Sequence, residues 1–145
     1  MPVSGSTLIH DTVLLYRALL ASGVTDPISR PSGEQFIMTA WPERPVTYPV
    51  VLVNHESTLS SKRVGSQSNQ FEKDFLLKVE IASKSVKQRD ELYDAVFQTL
   101  HSVNAGSLIT NNVFNFRETS AVNVDEPGKE GLHRKIITFQ QKFFV

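Results

Sequence analysis

The sequence predicts one α+β domain: a mainly antiparallel, mixed β-sheet with two helices packed on one face. Three observations predict it. At 145 residues the chain fits a single domain over residues 1–145, large enough to bury a core without metals or disulfides. Only two segments carry helical periodicity, and the other apolar residues fall in strand-like runs. The last two of those runs flank a Pro-Gly turn, the mark of a hairpin, and strands joined by hairpins make an antiparallel sheet. The order reads helix, strand, strand, strand, helix, strand, strand. No internal repeat, low-complexity tract or interdomain linker interrupts it.

The first helix spans about residues 7–21. Leu8, Thr12, Leu15 and Leu19 share one face with Ile9, Val13, Tyr16 and Leu20 beside them, while His10, Asp11 and Arg17 fall on the polar side. Ser6 or Thr7 caps its start, and Gly23 stands where a left-handed stop is wanted. Residues 24–33, with Pro27 and Pro31, form a connector. Residues 34–41 read as a strand that Pro42 ends. Residues 48–55, built on Val50-Val51-Leu52-Val53, read as a central or near-central strand, with a proline tolerated at its start.

Residues 56–70 turn polar, with Leu59 and Val64 as the apolar interruptions, and read as a long loop of the kind that carries function or is disordered. Residues 71–82 then alternate: Phe75, Leu77, Val79 and Ile81 point one way, Lys78 and Glu80 the other. Ser85-Val86-Lys87-Gln88 matches the capping-box pattern and opens the second helix. Leu92, Val96, Leu100 and Val103, flanked by Tyr93 and Phe97, form its apolar stripe, and Gly106 ends it. Residues 113–124 and 132–145 are strands of one hairpin around Asp125-Glu126-Pro127-Gly128-Lys129-Glu130-Gly131. Ile137, Phe139, Gln141, Phe143 and Val145 share one face of the last strand; Ile136, Thr138 and Phe144 share the other. An end as apolar as Phe143-Phe144-Val145 is expected to be packed, internally or against a partner.

Composition narrows the functional classes. Fifteen basic side chains against 15 acidic ones leave a formal net charge of zero, which argues against a protein built to grip a nucleic-acid backbone. The absence of cysteine excludes disulfide scaffolds, thiolate zinc sites and cysteine nucleophiles. The longest apolar run, residues 50–53, falls far short of a membrane span, and Met1-Pro2-Val3-Ser4-Gly5 does not open a signal sequence. A soluble protein made in a reducing compartment, with no membrane partner, is the expectation.

Chemistry is sparse. His10, His55, His101 and His133 show no i, i+4 metal pairing, and no metal or cofactor is expected. His10 and His101 read as solvated helix residues. His55-Glu56, at a strand end, is the one pair that an enzyme could use as base or ligand; a polar strand end meeting water is the plainer reading. No phosphate-cradling glycine loop and no nucleophile elbow occurs, so no catalytic residue is assigned and the chain reads as a non-enzyme. Lys62, Arg63, Lys84, Lys87 and Arg89 are the basic residues that a small nucleic-acid-binding or DNA-packaging accessory domain would use. Asp90, Glu91 and Asp94 follow on the same helix and cancel most of that field.

The succession of segments carries a resemblance. An N-terminal amphipathic helix precedes Thr47-Tyr48-Pro49-Val50-Val51-Leu52-Val53 and a polar stretch. Phe75-Leu76-Leu77-Lys78-Val79-Glu80-Ile81-Ala82-Ser83-Lys84-Ser85 then leads into a helix carrying Ala95, Val96 and Leu100, and a hairpin closes the chain. Over roughly residues 6–144 this pattern resembles the tail terminator (tail completion) proteins of tailed bacteriophages, of the lambda-like minor tail type. The resemblance implies a homohexameric ring that caps the tail tube, ends its polymerisation and joins it to neck and head-completion proteins. The protein would then be made in the host cytoplasm and reside in the virion, with the tube protein and neck proteins as partners and DNA only as passing cargo. On that reading Ser57, Ser60, Lys62, Arg63, Gln67 and Asn69 belong to a surface facing the lumen or the tube. Asp125, Glu126, Lys129 and Glu130, at the hairpin tip, reach a neighbouring subunit or a neck protein.

Overall fold

A computed structural model describes residues 8–43, 46–63, 71–103, 108, 113–126 and 131–144. Helix α1 (Leu8–Gly23) is followed by strands β1 (Ile37–Met38), β2 (Val50–Arg63) and β3 (Phe71–Ser83). Helix α2 (Val86–Phe97) runs into a π-helical turn, Gln98–Val103, before β4 (Phe114–Glu126) and β5 (Leu132–Phe144). The strands form one five-stranded sheet in the order β1-β2-β3-β5-β4. β1 is parallel to β2 and every other pair is antiparallel, so the sheet is mixed and mainly antiparallel.

Period-two alternation sets the faces of the sheet. Val51 and Val53 of β2, Phe75, Leu77, Val79 and Ile81 of β3, and Ile137, Phe139 and Phe143 of β5 are all buried on one face. Both helices pack there, α1 through Val13, Leu15, Tyr16 and Leu20 and α2 through Leu92 and Val96. On the opposite face a smaller cluster lies at one end, where Met38, Val50, Leu52 and Ala82 pack with Val46, Tyr48 and Leu132. Glu80 points to this second face, as its alternation requires, yet it is buried and ion-paired with Arg134.

Two polar side chains lie in the middle of the main core. The Tyr16 hydroxyl donates to Gln141 Oε1 at 2.9 Å, and Gln141 Nε2 donates to the Phe75 carbonyl at 2.7 Å. Both side chains are fully buried. Beside them Phe75 stacks on Phe143 with ring centroids 4.9 Å apart, so the apolar C-terminal strand packs internally through Phe143.

Several expectations need correction. Residues 34–41 yield a strand only at Ile37–Met38, where β2 offers partners at Val51 and Leu52; Arg17 of α1 donates to the Ile37 carbonyl at 3.3 Å and to Gln35 Oε1 at 3.1 Å. The strand expected at residues 48–55 as central or near-central begins at Val50 and stands second of five, beside the central β3. The loop expected at residues 56–70 is strand as far as Arg63: Ser57 pairs with Leu76, Ser60 with Asp74, Lys62 with Glu72 and Arg63 with Phe71. Two register shifts, between His55 and Ser57 and between Thr58 and Ser60, take up the irregularity. Residues 64–70 lie outside the described residues, as do the expected caps Ser6 and Thr7 and the expected terminator Gly106.

Gly23 is not a left-handed stop. Among the described residues the glycines with positive φ are Gly33 and Gly131, and Gly23 is the last residue of α1. Its lack of a side chain serves a close approach instead: a Cβ there would stand 2.4 Å from Thr99 Cγ2. The second helix starts as expected, with Ser85 Oγ accepting from the Gln88 N–H at 3.3 Å. The reciprocal half of the box is replaced by a relay, in which Ser85 N–H donates to Ser83 Oγ and Ser83 Oγ donates to Gln88 Oε1.

Arg30 ties the connector between α1 and β2 together. Arg30 pairs with Asp26 at 2.6 Å, donates to the carbonyls of Thr47 and Pro49, and lies 5.0 Å over the Phe36 ring. The Tyr48-Pro49 peptide bond beside it is cis.

Two substitutions test this packing. Gln141→Leu strips partners from the Tyr16 hydroxyl and the Phe75 carbonyl together, and is expected to cost about 1–3 kcal/mol in urea denaturation; adding Tyr16→Phe should recover part of the loss. Gly23→Ala is expected to destabilise by about 1–3 kcal/mol through overpacking, with a smaller penalty when Thr99 is also alanine.

Candidate interaction surfaces

The residues singled out from sequence fall at opposite ends of the sheet. β3 has 13 residues, which at about 3.3 Å each span roughly 40 Å. Ser57, Ser60, Lys62 and Arg63 lie on β2 where it pairs with the first half of β3. Asp125 and Glu126 close β4, pairing with His133 and Leu132, and His133 in turn pairs with Ser83 at the far end of β3. Gln67, Asn69, Lys129 and Glu130 lie outside the described residues.

At the first end, Glu56, Thr58 and Leu59 of β2 are exposed. Lys142 of β5 sits between two carboxylates there, 2.5 Å from Glu72 and 4.0 Å from Asp74. The hydrogen bond to Glu72 raises the Lys142 pKa above its ordinary value, against a smaller lowering by desolvation. Arg117 donates to Gln140 Oε1 at 2.9 Å. The adjoining part of β4 is bent: its register with β5 shifts between Phe114 and Arg117, and Asn115 adopts a φ of 51°. The bend opens a cavity of about 380 Å³ between Asp74, Phe116, Arg117 and Lys142. Lys142, Glu72 and Asp74 thus neutralise one another at this end.

The two long edges of the sheet are the outer side of β2 past β1 and the outer side of β4. Beyond Leu52, no strand among the described residues pairs with the outer side of β2, and none pairs with the outer side of β4. On β4, residues 119–123 are exposed on both faces, Val122 to 53%. Neither edge contains proline over residues 54–63 or 114–126. Register shifts in both edge strands bend them and limit how far a flat ladder can run.

The structure does not bring the basic residues together. Lys62 and Arg63 stand at one end of β3, whereas Lys84, Lys87 and Arg89 follow its other end. Arg89 is buried and bonded to Asp90 at 3.1 Å, and Lys87 lies 3.8 Å from Glu91. His55 pairs with Leu77 of β3, and Glu56 falls at the register shift that follows and is exposed. His55 leans on the Phe75 ring and approaches Thr58 Oγ1 at 3.4 Å. His10 is exposed, and His101 is exposed with its ring 4.9 Å from that of Phe97. Among the described residues no group of three or more His, Asp or Glu side chains is placed to hold a metal, and no helix is long and apolar enough to cross a membrane.

One cluster ties α2 to the β4–β5 hairpin. The Tyr93 hydroxyl donates to Glu118 at 2.6 Å, Lys135 Nζ lies 4.1 Å over the Tyr93 ring, and the same ammonium is 3.7 Å from Asp90. Sequence reasoning gave Tyr93 to the apolar flank of α2; its polar tip left no signal of the partner across the sheet.

No protein-family model and no curated protein matches the chain. Among solved structures, a chain of the "Virion of native gene transfer agent (GTA) particle" is similar with a TM-score of 0.39 and 9% identity, over 94% of this chain and 92% of that one. A likeness of that degree assigns no role.

Burial, followed by the hydrogen bond to Glu118, pushes the Tyr93 phenol up to about 12. Above the ordinary phenol pKa of about 10, the unfolded chain releases this proton while the folded chain keeps it. The stabilisation is therefore complete below about pH 10 and is lost as pH rises towards about 12. Tyr93→Phe is expected to flatten the alkaline fall in denaturation midpoint and to remove the late phenolate absorbance step.

Proposed function

We propose that this chain is a structural virion protein that acts by assembly, a tail terminator whose copies form a hexameric ring. The ring caps the tail tube, ends its polymerisation and offers its other side to neck and head-completion proteins. It needs no reaction, cofactor or metal; complementary surfaces do the work.

One observation carries this reading: among the described residues the sheet ends in the outer side of β4 on one side and, past the two-residue β1, in the outer side of β2 on the other. β2 and β5 run in one direction, β3 and β4 in the opposite one. A neighbour related by rotation about an axis along the strands keeps these directions, so its β4 would meet β2 antiparallel. Such a contact joins two different patches head to tail, and head-to-tail contacts close into rings when the rotation fits. The two ends of the sheet, roughly 40 Å apart, then face opposite sides of the ring, the hydroxyl-rich end of β2 towards the tube and the acidic hairpin end towards the neck. Net neutrality, with Lys142 paired to Glu72 and Arg134 to Glu80, suits a passage through which DNA must move without being held. The remote likeness to a virion chain agrees with this reading and adds no weight to it.

Particles assembled without this chain are expected to carry tails of uncontrolled length that are not joined to heads, seen directly by electron microscopy. Tails of uniform length joined to heads in its absence would contradict the proposal.

A further inference from the structure

We infer that neighbouring copies of this chain join out of step along their strands, so that Val122 on β4 of one copy packs beside Leu59 on β2 of the next. The inference rests on the ring reading and adds the register of its contact. It comes from what β1 does to the edge it joins.

One row runs straight across the sheet. Met38 pairs with Leu52, Leu52 with Glu80, Glu80 with Ile136 and Ile136 with Val122. Copies set level would therefore bring Val122 of one against Met38 of the next. That place is closed. On its inner side β1 is bonded to β2, with the Val51 N–H donating to the Phe36 carbonyl at 2.9 Å. Carbonyls alternate in direction along a strand, so that of Ile37 points outward, and Arg17 of α1 already donates to it at 3.3 Å. An incoming β4 has to pair with β2 past Leu52 instead.

The length of the slip follows from the ladder. From Ser120 to Glu126, β4 pairs with β5 without a register shift, and this regular stretch is the part fit to form a second ladder. Its far end, Glu126, pairs with Leu132, one row beyond the pair of Ser83 and His133. Moving the whole stretch past Leu52 takes a slip of about five or six residues, roughly 18 Å. Val122 then arrives between Thr58 and Ser60, at the register shift where Leu59 stands. Leu59 is 52% exposed and Val122 53%. One exposed apolar residue is ordinary; here the slip that β1 imposes brings two of them together without being fitted to either. The slip also suits closure. About 18 Å across four strands spaced about 4.8 Å apart inclines the strands roughly 43° to the ring axis, within the range of about 35–45° typical of closed sheets.

The chain contains no cysteine, so introduced thiols report this contact directly. Chains carrying Leu59→Cys are mixed with chains carrying Val122→Cys under mild oxidation, and covalent dimers are read on a non-reducing gel. The register shift leaves the exact pairing of Leu59 open to its neighbour, so Thr58→Cys with Asn123→Cys is the second arm. One of the two mixtures is expected to cross-link about tenfold faster or more than either of its variants alone, because the contact concentrates the thiols. Thr39→Cys, next to Met38, mixed with Val122→Cys is expected to show no such gain. All these positions are exposed, and circular dichroism checks that each variant folds. A six-chain species in light scattering that cross-links through Thr39, or through neither Leu59 nor Thr58, would overturn the register and leave the ring standing. A chain that stays monomeric with and without tube protein would instead remove the ring, and this contact with it.

Discussion

The hydrogen-bond relay from the Tyr16 hydroxyl through the Gln141 amide to the Phe75 carbonyl is the constraint on which the rest of the structure depends. It joins the first helix, the last strand and the central strand in one buried contact. A slip of one residue between β3 and β5 would turn every apolar side chain of the sliding strand to the wrong face and carry a polar amide out of register with its partners. A buried amide with unmet hydrogen bonds is more expensive than an apolar mismatch, so the relay penalises wrong registers more than it strengthens the right one. Phe75 stacked on Phe143, and Phe116 stacked on Phe139 at 4.9 Å, fill the space around it.

Once that register is fixed, the outer strands follow. β5 carries β4 along its free side, and β3 carries β2 along the other, which leaves two long edges that no strand covers within the described residues. Natural sheets usually blunt such edges with charge, proline or bulges. Here bulges bend both edges, but the exposed stretch of β4 from Thr119 to Asn123 carries no charged residue at all. An edge kept this plain is suited to being covered by a neighbour. Some of the charges on the sheet are matched internally, as between Lys142 and Glu72 and between Arg134 and Glu80.

Much of the fold was legible in the sequence where period and burial agree. β3 and β5 alternate cleanly because each has one face in the main core, and the Ser85 cap sits where its pattern places it. Gln141 could be put on the apolar face by alternation, but nothing local tells that it bonds to a tyrosine 125 residues away. The second half of β2 was hidden because its side chains at Glu56, Thr58 and Leu59 are exposed, so hydrophobic alternation, the signal of a strand, is missing there. Gly23 misled for another reason: a glycine after a helical stripe looks like a left-handed stop, whereas the demand on it comes from Thr99 across a helix contact. Of the candidate site residues, Ser57, Ser60, Lys62 and Arg63 were expected on a loop and lie on strand β2. The opposed ends of the sheet emerge only from strand pairing.

The mass of the purified chain in solution, measured by light scattering across a concentration series, tests most directly whether the two free edges join copies into a closed ring. A species of six 16.2 kDa chains that persists on dilution is the predicted result. A monomer at every concentration, in the presence of tube protein as well as in its absence, would contradict it.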